Sequence, residues 1–265
     1  MGPIGKFEAL TRSGFAARGI TYILIGYLAL KAGRATGPSG ALQTIADSGL
    51  GGFALGLIGV GLLAYGAWRL LEAWFDLEGH GADAKGAAVR IGHGLGGAVH
   101  IFLGFLALEL VMGVAGASAG SDGGARTATS WLLELPGGEV IVRLVGAAFV
   151  AAGAAHAVQA VKLRFLKQLD ARASSQEWVK WTGRLGYLAR GAIFVLVGLF
   201  FWRAGTTENP QAAGGMGEAI ASLSGWAQAA VAAGLVLFGL FSIVQAIYRR
   251  ISDPQVVERL KARLA

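Results

Sequence analysis

The residues in this chain that could do chemistry are few, and they lie inside long apolar runs. Arg18 and Arg190 each stand one residue before a glycine, at Gly19 and Gly191. Glu72, Gln159 and Gln245 each stand six residues after a glycine, at Gly66, Gly153 and Gly239. His100 and His156 follow Gly97 and Gly153 by three. Lys31, Glu109 and Arg203 follow Gly26, Gly104 and Gly198 by five. An ionisable side chain in a membrane-spanning segment costs energy to place there, so each is a functional hypothesis with a partner to be named.

Antiparallel hairpins would let Arg18 pair with Glu72 and Arg190 with Gln245. Such pairs would either pin the helices or form a cytoplasmic-side site for an anionic lipid headgroup or an anionic solute. Arg12, Arg90 and Arg184, at the starts of three helices, would assist the site or only anchor those helices. Lys31, Glu109 and Arg203 would either ring a central axis near the outer end or snorkel to the interface. Arg143 would pair locally with Glu139 or Glu109. His100 and His156 lie about 15 and 9 Å from the cytoplasmic helix ends at 1.5 Å per residue. Two imidazoles so placed could bond to backbone or to Gln159, relay protons, bind a ligand, or ligate haem or a metal; haem is the minor alternative and no cofactor is expected. No P-loop, HExxH or nucleophile–histidine–acid pattern occurs, and no catalytic residue is assigned.

These positions are set by an internal repeat. Arg12-x-Gly14-x4-Gly19-x6-Gly26 recurs as Arg90, Gly92, Gly97, Gly104 and again as Arg184, Gly186, Gly191, Gly198. A second pattern, Gly59-x6-Gly66-x5-Glu72-Ala73, recurs from Gly146 to Ala160 and, opening on Ala232, to Ala246. Each repeat is therefore a two-helix hairpin: about 12–76, 90–164 and 184–250, within one membrane domain over 1–265. The spans predicted are about 14–33, 52–74, 92–114, 139–161, 186–204 and 227–248. The first matches the openings of the other repeats and is expected to be retained. Small residues recur every seven positions on every helix, which keeps them on one face under a left-handed crossing, so they predict tight helix–helix seams.

Composition agrees. The chain is 54% hydrophobic and only 15% charged, with 43 glycines and no cysteine. Thiolate chemistry and disulfides are thereby excluded. The net charge of +7 sits in alternate loops, which explains it by topology, with no nucleic-acid partner. All but five of the 23 Lys and Arg residues lie at the N-terminal arm, the 75–91 and 162–185 loops and the C-terminal tail, with the helix ends beside them; the five are Lys31, Arg34, Arg126, Arg143 and Arg203. Both termini are expected to be cytoplasmic and the three hairpins to point the same way, as a pseudo-threefold bundle.

Short helices are expected before each second span, in ALQTIADSGLGG, TSWLLELPGG and GEAIASLSGW. A capping box at Ser174-x-x-Glu177, with Trp178 and Trp181, predicts a surface helix. Asp253-Pro254 predicts a basic amphipathic helix over 254–265. Membrane lipids, anionic headgroups among them, are the expected partners, and the glycine stripes could also join copies of the chain in a homo-oligomer.

Three tandem hairpins of this pattern resemble the bacterial domain of unknown function numbered 1206. Arg18-Gly19 and Arg190-Gly191, with Gly26 and Gly198, carry the resemblance, and repeat 2 departs from it at Gly96. It covers about 12–250. It implies an all-α, multi-pass protein of the bacterial plasma membrane, and no activity.

Overall fold

In a computed structural model of the chain, residues 3–31, 36–49, 51–76, 79–113 and 123–249 are described. The described helices are α1 (Pro3–Lys31), α2 (Pro38–Ala46), α3 (Gly51–Phe75), α4 (Ala84–Val111), α5 (Gly123–Leu133), α6 (Gly138–Lys162), α7 (Ala171–Ser174), α8 (Glu177–Thr207), α9 (Met216–Ala221) and α10 (Gly225–Tyr248). Six are long and apolar enough to cross a membrane: Thr11–Lys31 within α1, Gly51–Phe75, Gly86–Val111, Gly138–Lys162, Glu177–Thr207 and Gly225–Tyr248. The protein is thus an all-helical, six-span membrane protein built from three repeats. The expected helix over 254–265 lies outside the described residues.

The glycine stripes make the seams, and the seams join neighbouring repeats. The most extensive packing is α3 on α4, α6 on α8 and α1 on α10. A Cβ on Gly66 would lie 2.8 Å from the Gly97 carbonyl oxygen, and one on Gly97 would lie 2.9 Å from that of Gly66. Gly153 and Gly191 face each other likewise, at 2.7 and 2.9 Å, and Gly19 and Gly239 at 2.8 and 2.6 Å. No side chain fits at such a point, so the backbones touch and dispersion and weak Cα–H···O contacts accumulate along the seam.

The arginine that opens each repeat closes the same seam. Arg12 Nη1 donates to the carbonyls of Ala246 at 2.8 Å and Ile247 at 2.5 Å. Arg90 donates to those of Ala73 at 2.8 Å and Trp74 at 3.0 Å. Arg184 Nε donates to that of Ala160 at 3.3 Å. A helix leaves its last carbonyls without partners, and a cation there also suits the helix dipole. The repeated arginine and the alanine ending G-x5-[EQ]-A are therefore donor and acceptor of one contact. These arginines anchor helices, as one of the two expectations had it.

Within a repeat the packing is uneven. In repeat 1, Gly14 meets Tyr65 and Gly61 meets Ala17; in repeat 3, Gly186 meets Phe238 and Gly234 meets Ala189. Repeat 2 differs: Gly92 has open space beside it and Ala148 is exposed. Among the described residues α4 and α6 do not pack as α1 does on α3 or α8 on α10. The helices run in contact as α4, α3, α1, α10, α8, α6, and the threefold pattern is interrupted between the ends of that series. The cause is legible in side chains: where Tyr65 and Phe238 fill the hairpins of repeats 1 and 3, repeat 2 has Ala152.

The expected short helices before the second spans are α2, α5 and α9. Ala41 and Leu42 of α2 are fully buried, and Arg126 after the start of α5 pairs with Glu218 on α9. The 162–185 loop needs correction. Ser174 ends α7, which Asp170 caps by accepting from the Ala173 N–H at 2.8 Å. Trp178 and Trp181 belong to the continuous helix α8, which begins without a side-chain cap, so the Ser174–Glu177 capping box does not form. The apolar residues of that loop do the closing: Phe165 is buried against Gly183 and stacks on Tyr187, and Leu169 bridges to Arg249.

Gly153→Val should destabilise the protein by about 1–3 kcal/mol through overpacking, whereas Gly92→Ala should leave it unchanged or slightly more stable. Thermal unfolding in detergent, followed by circular dichroism, checks this. Equal losses from both would mean that repeat 2 packs like its neighbours.

Candidate functional site

Seam geometry decides which residues face inward. On every spanning helix the positions one before and three after a stripe glycine lie about 100° and 60° to one side of it. Arg18, Tyr22, Tyr65, Arg69, His100, His156, Arg190, Phe194, Phe238 and Ser242 occupy these positions.

Arg18 sits at the centre of the polar layer, 5% exposed. Its guanidinium donates to the hydroxyl of Tyr65, to Ser242 Oγ at 3.1 and 3.2 Å and to Gln245 Oε1 at 2.6 Å. It also stands over the rings of Phe15 and Tyr65, at 5.0 and 4.8 Å. Its expected partner Glu72 is elsewhere. Glu72 is fully buried and takes Arg69 Nη1 at 2.6 Å and His93 Nδ1 at 3.1 Å, with Arg249 Nη2 at 3.8 Å. The correction follows from the seams: α1 packs most closely on α10, so Arg18 meets residues of repeat 3, and the nearest cation to Glu72 is one turn back on its own helix.

Arg190 is the second correction, since Gln245 is engaged by Arg18. Arg190 is half-buried, and among the described residues its guanidinium donates no hydrogen bond; Nε is buried without a partner. It is held by rings alone, over Phe194 at 4.8 Å, Phe238 at 4.8 Å and Tyr22 at 5.4 Å. Arg18 stands 5.3 Å from the same Phe238 ring. Two guanidinium groups thus share one aromatic neighbour, and neither has a carboxylate partner.

The histidines lie at opposite ends of the helix series. His100 on α4 has Nδ1 2.6 Å from the Gly96 carbonyl and its ring 4.7 Å from that of Tyr65. His156 on α6 packs its ring 5.5 Å from Tyr187 and 5.1 Å from Phe194, both on α8, with both ring nitrogens buried and unpartnered. Each imidazole packs across its own seam, and no ring contact joins the two among the described residues. Gln159, half-buried one turn beyond His156, has no side-chain partner there either.

The outer positions do not converge. Lys31, Glu109 and Arg203 are all exposed, and no ion pair joins them among the described residues. Five residues past a stripe glycine is about 140° round the opposite side, which turns them from the inward face. Lys31 Nζ lies 5.5 Å from the Tyr27 ring on the same helix, as an interfacial lysine would. Arg143 donates to the Glu139 backbone carbonyl at 3.2 Å, in place of the expected carboxylate pair.

Four participants escaped the sequence reading. Tyr65 and Ser242 bind Arg18, Arg69 satisfies Glu72, and Arg249, 6% exposed, ties Glu72 to Gln168 Oε1 at 2.6 Å. The signal was present, because Tyr65, Arg69 and Ser242 all sit at the one-before or three-after position. Below this layer the Asp76 carboxylate accepts the N–H groups of His80 at 2.7 Å and Gly81 at 2.8 Å. Partial desolvation opposes ionisation of Asp76, yet these two donors, together with nearby Arg90 and His80, outweigh it and hold the carboxyl below its ordinary range. Burial, then the neighbouring His93, lowers the affinity of His80 for its proton.

Because the native Asp76 pKa lies below its free value of 3.8, its stabilisation is complete above that value and is lost as pH falls through the native one. Asp76→Asn should therefore lower the melting temperature at pH 7, with the gap to the parent narrowing below about pH 4. A gap that stays constant with pH would show that the bonds to His80 and Gly81 do not need the charge.

The family profile described as Domain of Unknown Function (DUF1206) matches three times, over residues 13–76, 91–162 and 185–249. These are the three hairpins. The chain is also similar to "Uncharacterized protein YxxB" of Bacillus subtilis (strain 168), 33% identical over 255 residues and covering 91% of this chain and 90% of that protein. No solved structure matches significantly. With all three hairpins matched and one relative aligned along nearly its whole length, this six-span chain belongs to the DUF1206 family.

Proposed function

We propose that this protein binds an anionic ligand, a phosphate- or carboxylate-bearing solute or headgroup, between its repeats at the level of Arg18 and Arg190. The observation that carries the reading is the guanidinium of Arg190, turned inward beside Arg18 and donating no hydrogen bond to any described residue. An arginine deep in a span costs about 2.5–3.5 kcal/mol on insertion scales. Arg18 offsets its cost with hydroxyl, amide and ring partners, and Arg190 has rings only. A planar cation with free donors in a low-dielectric site favours a planar or tetrahedral oxyanion.

The excess of Lys and Arg at the termini and the 75–91 and 162–185 loops supports a plasma-membrane orientation with both termini cytoplasmic. The Arg18–Arg190 layer then opens nearer the cytoplasm. Arg190 lies six residues beyond Arg184, about 9 Å along the helix.

Arg190→Gln should weaken binding of the anion by about tenfold or more with little change in melting temperature, because no protein hydrogen bond is lost. Arg18→Gln should weaken binding and also lower the melting temperature, since it breaks the Tyr65–Ser242–Gln245 network. Native mass spectrometry of the gently purified protein, with phosphate and carboxylate titrations, reads both effects. Undiminished anion retention by the two stable variants would remove the basis of the proposal.

A further inference from the structure

The interruption lies between two membrane-spanning helices, α4 and α6. Its mouth is made by small residues that are packed elsewhere in the repeat. Gly92 has nothing beside it, whereas Gly14 and Gly186 are covered by Tyr65 and Phe238. Ala148 is exposed, whereas its equivalents Gly61 and Gly234 lie against neighbouring helices. Further in, repeat 2 has Gly96 where the others carry Arg18 and Arg190, and Ala152 where they carry Tyr65 and Phe238. Gly96 likewise has open space beside it. An arginine and an aromatic ring are thus both missing from the wall beside α4 and α6.

Polar groups without partners lie on α6 and α8. Both nitrogens of His156 are unbonded, Arg190 Nε is unbonded, and the Gln159 side chain has no partner among the described residues. Arg190 and His156 are half-buried, with Arg190 Nε and both His156 nitrogens themselves covered, whereas Arg18, on the packed side, is buried throughout. The outer rim is apolar: Leu95 and Val99 on α4 and Leu144 on α6 are exposed.

From this juxtaposition we infer that the space between α4 and α6 is a lateral entry for an anionic phospholipid, its phosphate seated against Arg190, His156 and Gln159 and its acyl chains lying in the apolar mouth. The inference rests on the anion-binding reading and names its ligand and route. Charge selects the occupant. A second copy of the chain would bring its own apolar helix face and would leave Arg190 unsatisfied, whereas a headgroup phosphate supplies acceptors and negative charge while its chains stay in the membrane.

The test uses the full chain in nanodiscs and in detergent. Phosphatidylglycerol and phosphatidylcholine are titrated and followed by native mass spectrometry, with inorganic phosphate as the soluble competitor. Phosphatidylglycerol is expected to bind roughly tenfold or more tightly than phosphatidylcholine, and Arg190→Gln to abolish that preference. Gly92→Leu/Ala148→Leu, at the mouth only, should reduce phosphatidylglycerol binding while leaving Arg190-dependent phosphate binding in place. If the double variant does not fold, Ala148→Leu alone, at an exposed position, serves the same purpose. Arg190-dependent phosphate binding without phosphatidylglycerol preference, or with preference unaffected at the mouth, overturns the lipid entry and leaves the anion site standing. Loss of neither ligand on Arg190→Gln overturns both. A dimer mass abolished by the mouth variant would assign the opening to a second copy and also overturn the inference.

Discussion

The structure depends on backbone-to-backbone contact along three seams. A helix pair can approach that closely only where side chains are absent, and in a membrane there is no hydrophobic gain from associating apolar helices to compensate for a poor fit. Stripe glycines at Gly19, Gly66, Gly97, Gly153, Gly191 and Gly239 therefore dictate which face of each helix meets its neighbour. With those faces committed, every other position has a fixed bearing. The residues one before and three after the glycine turn inward, and those five after it turn away. The polar layer follows from the seam register.

This is why the fold was legible and the partners were less so. The period-seven stripe, the three-fold recurrence of the arginine and the alanine after the second-helix Glu or Gln are all visible in the chain, and they specify hairpins, spans and seams. The stripe does not say which stripe meets which. Reading hairpins as the tight units paired Arg18 with Glu72; the structure places the tight contacts between repeats, so Arg18 meets Ser242 and Gln245 instead. The same distinction explains Arg12, Arg90 and Arg184. Their acceptors lie on the adjoining repeat, at Ala246, Ala73 and Ala160. The aim of Lys31, Glu109 and Arg203 was available from angle alone, and the exposed positions agree with it. Tyr65 was missed because an aromatic residue in an apolar run reads as packing, although its hydroxyl is what makes burial of Arg18 tolerable.

Repeat 2 shows how one unit of a repeated scaffold acquires a different inward face. Its seams are intact: Gly97 and Gly104 still meet α3, and Gly146 and Gly153 still meet α8. What changes is the inward face. Gly96 and Ala152 remove an arginine and a ring at the two positions that fill the hairpins of repeats 1 and 3, while His100 and His156 bring imidazoles. Such changes do not disturb the glycine contacts that organise the bundle, so they alter the interior without altering the architecture.

The charge balance of that interior follows from the same equivalences. The one-before position on the first helix reads Arg18, Gly96, Arg190; the three-after position on the second reads Arg69, His156, Ser242; the six-after position reads Glu72, Gln159, Gln245. Three arginines therefore stand against a single carboxylate in the repeated layer, and that carboxylate is engaged by Arg69 and His93. The two other acidic positions are amides, and an amide accepts a hydrogen bond without neutralising the charge behind it. Ring faces and a tyrosine hydroxyl lower the cost of burying Arg18 and Arg190 while leaving their charge uncompensated. Gln245 serves as such an amide, taking Arg18 at 2.6 Å. With Gln there, Arg18 and Arg190 keep a positive charge that no carboxylate of the repeated layer balances.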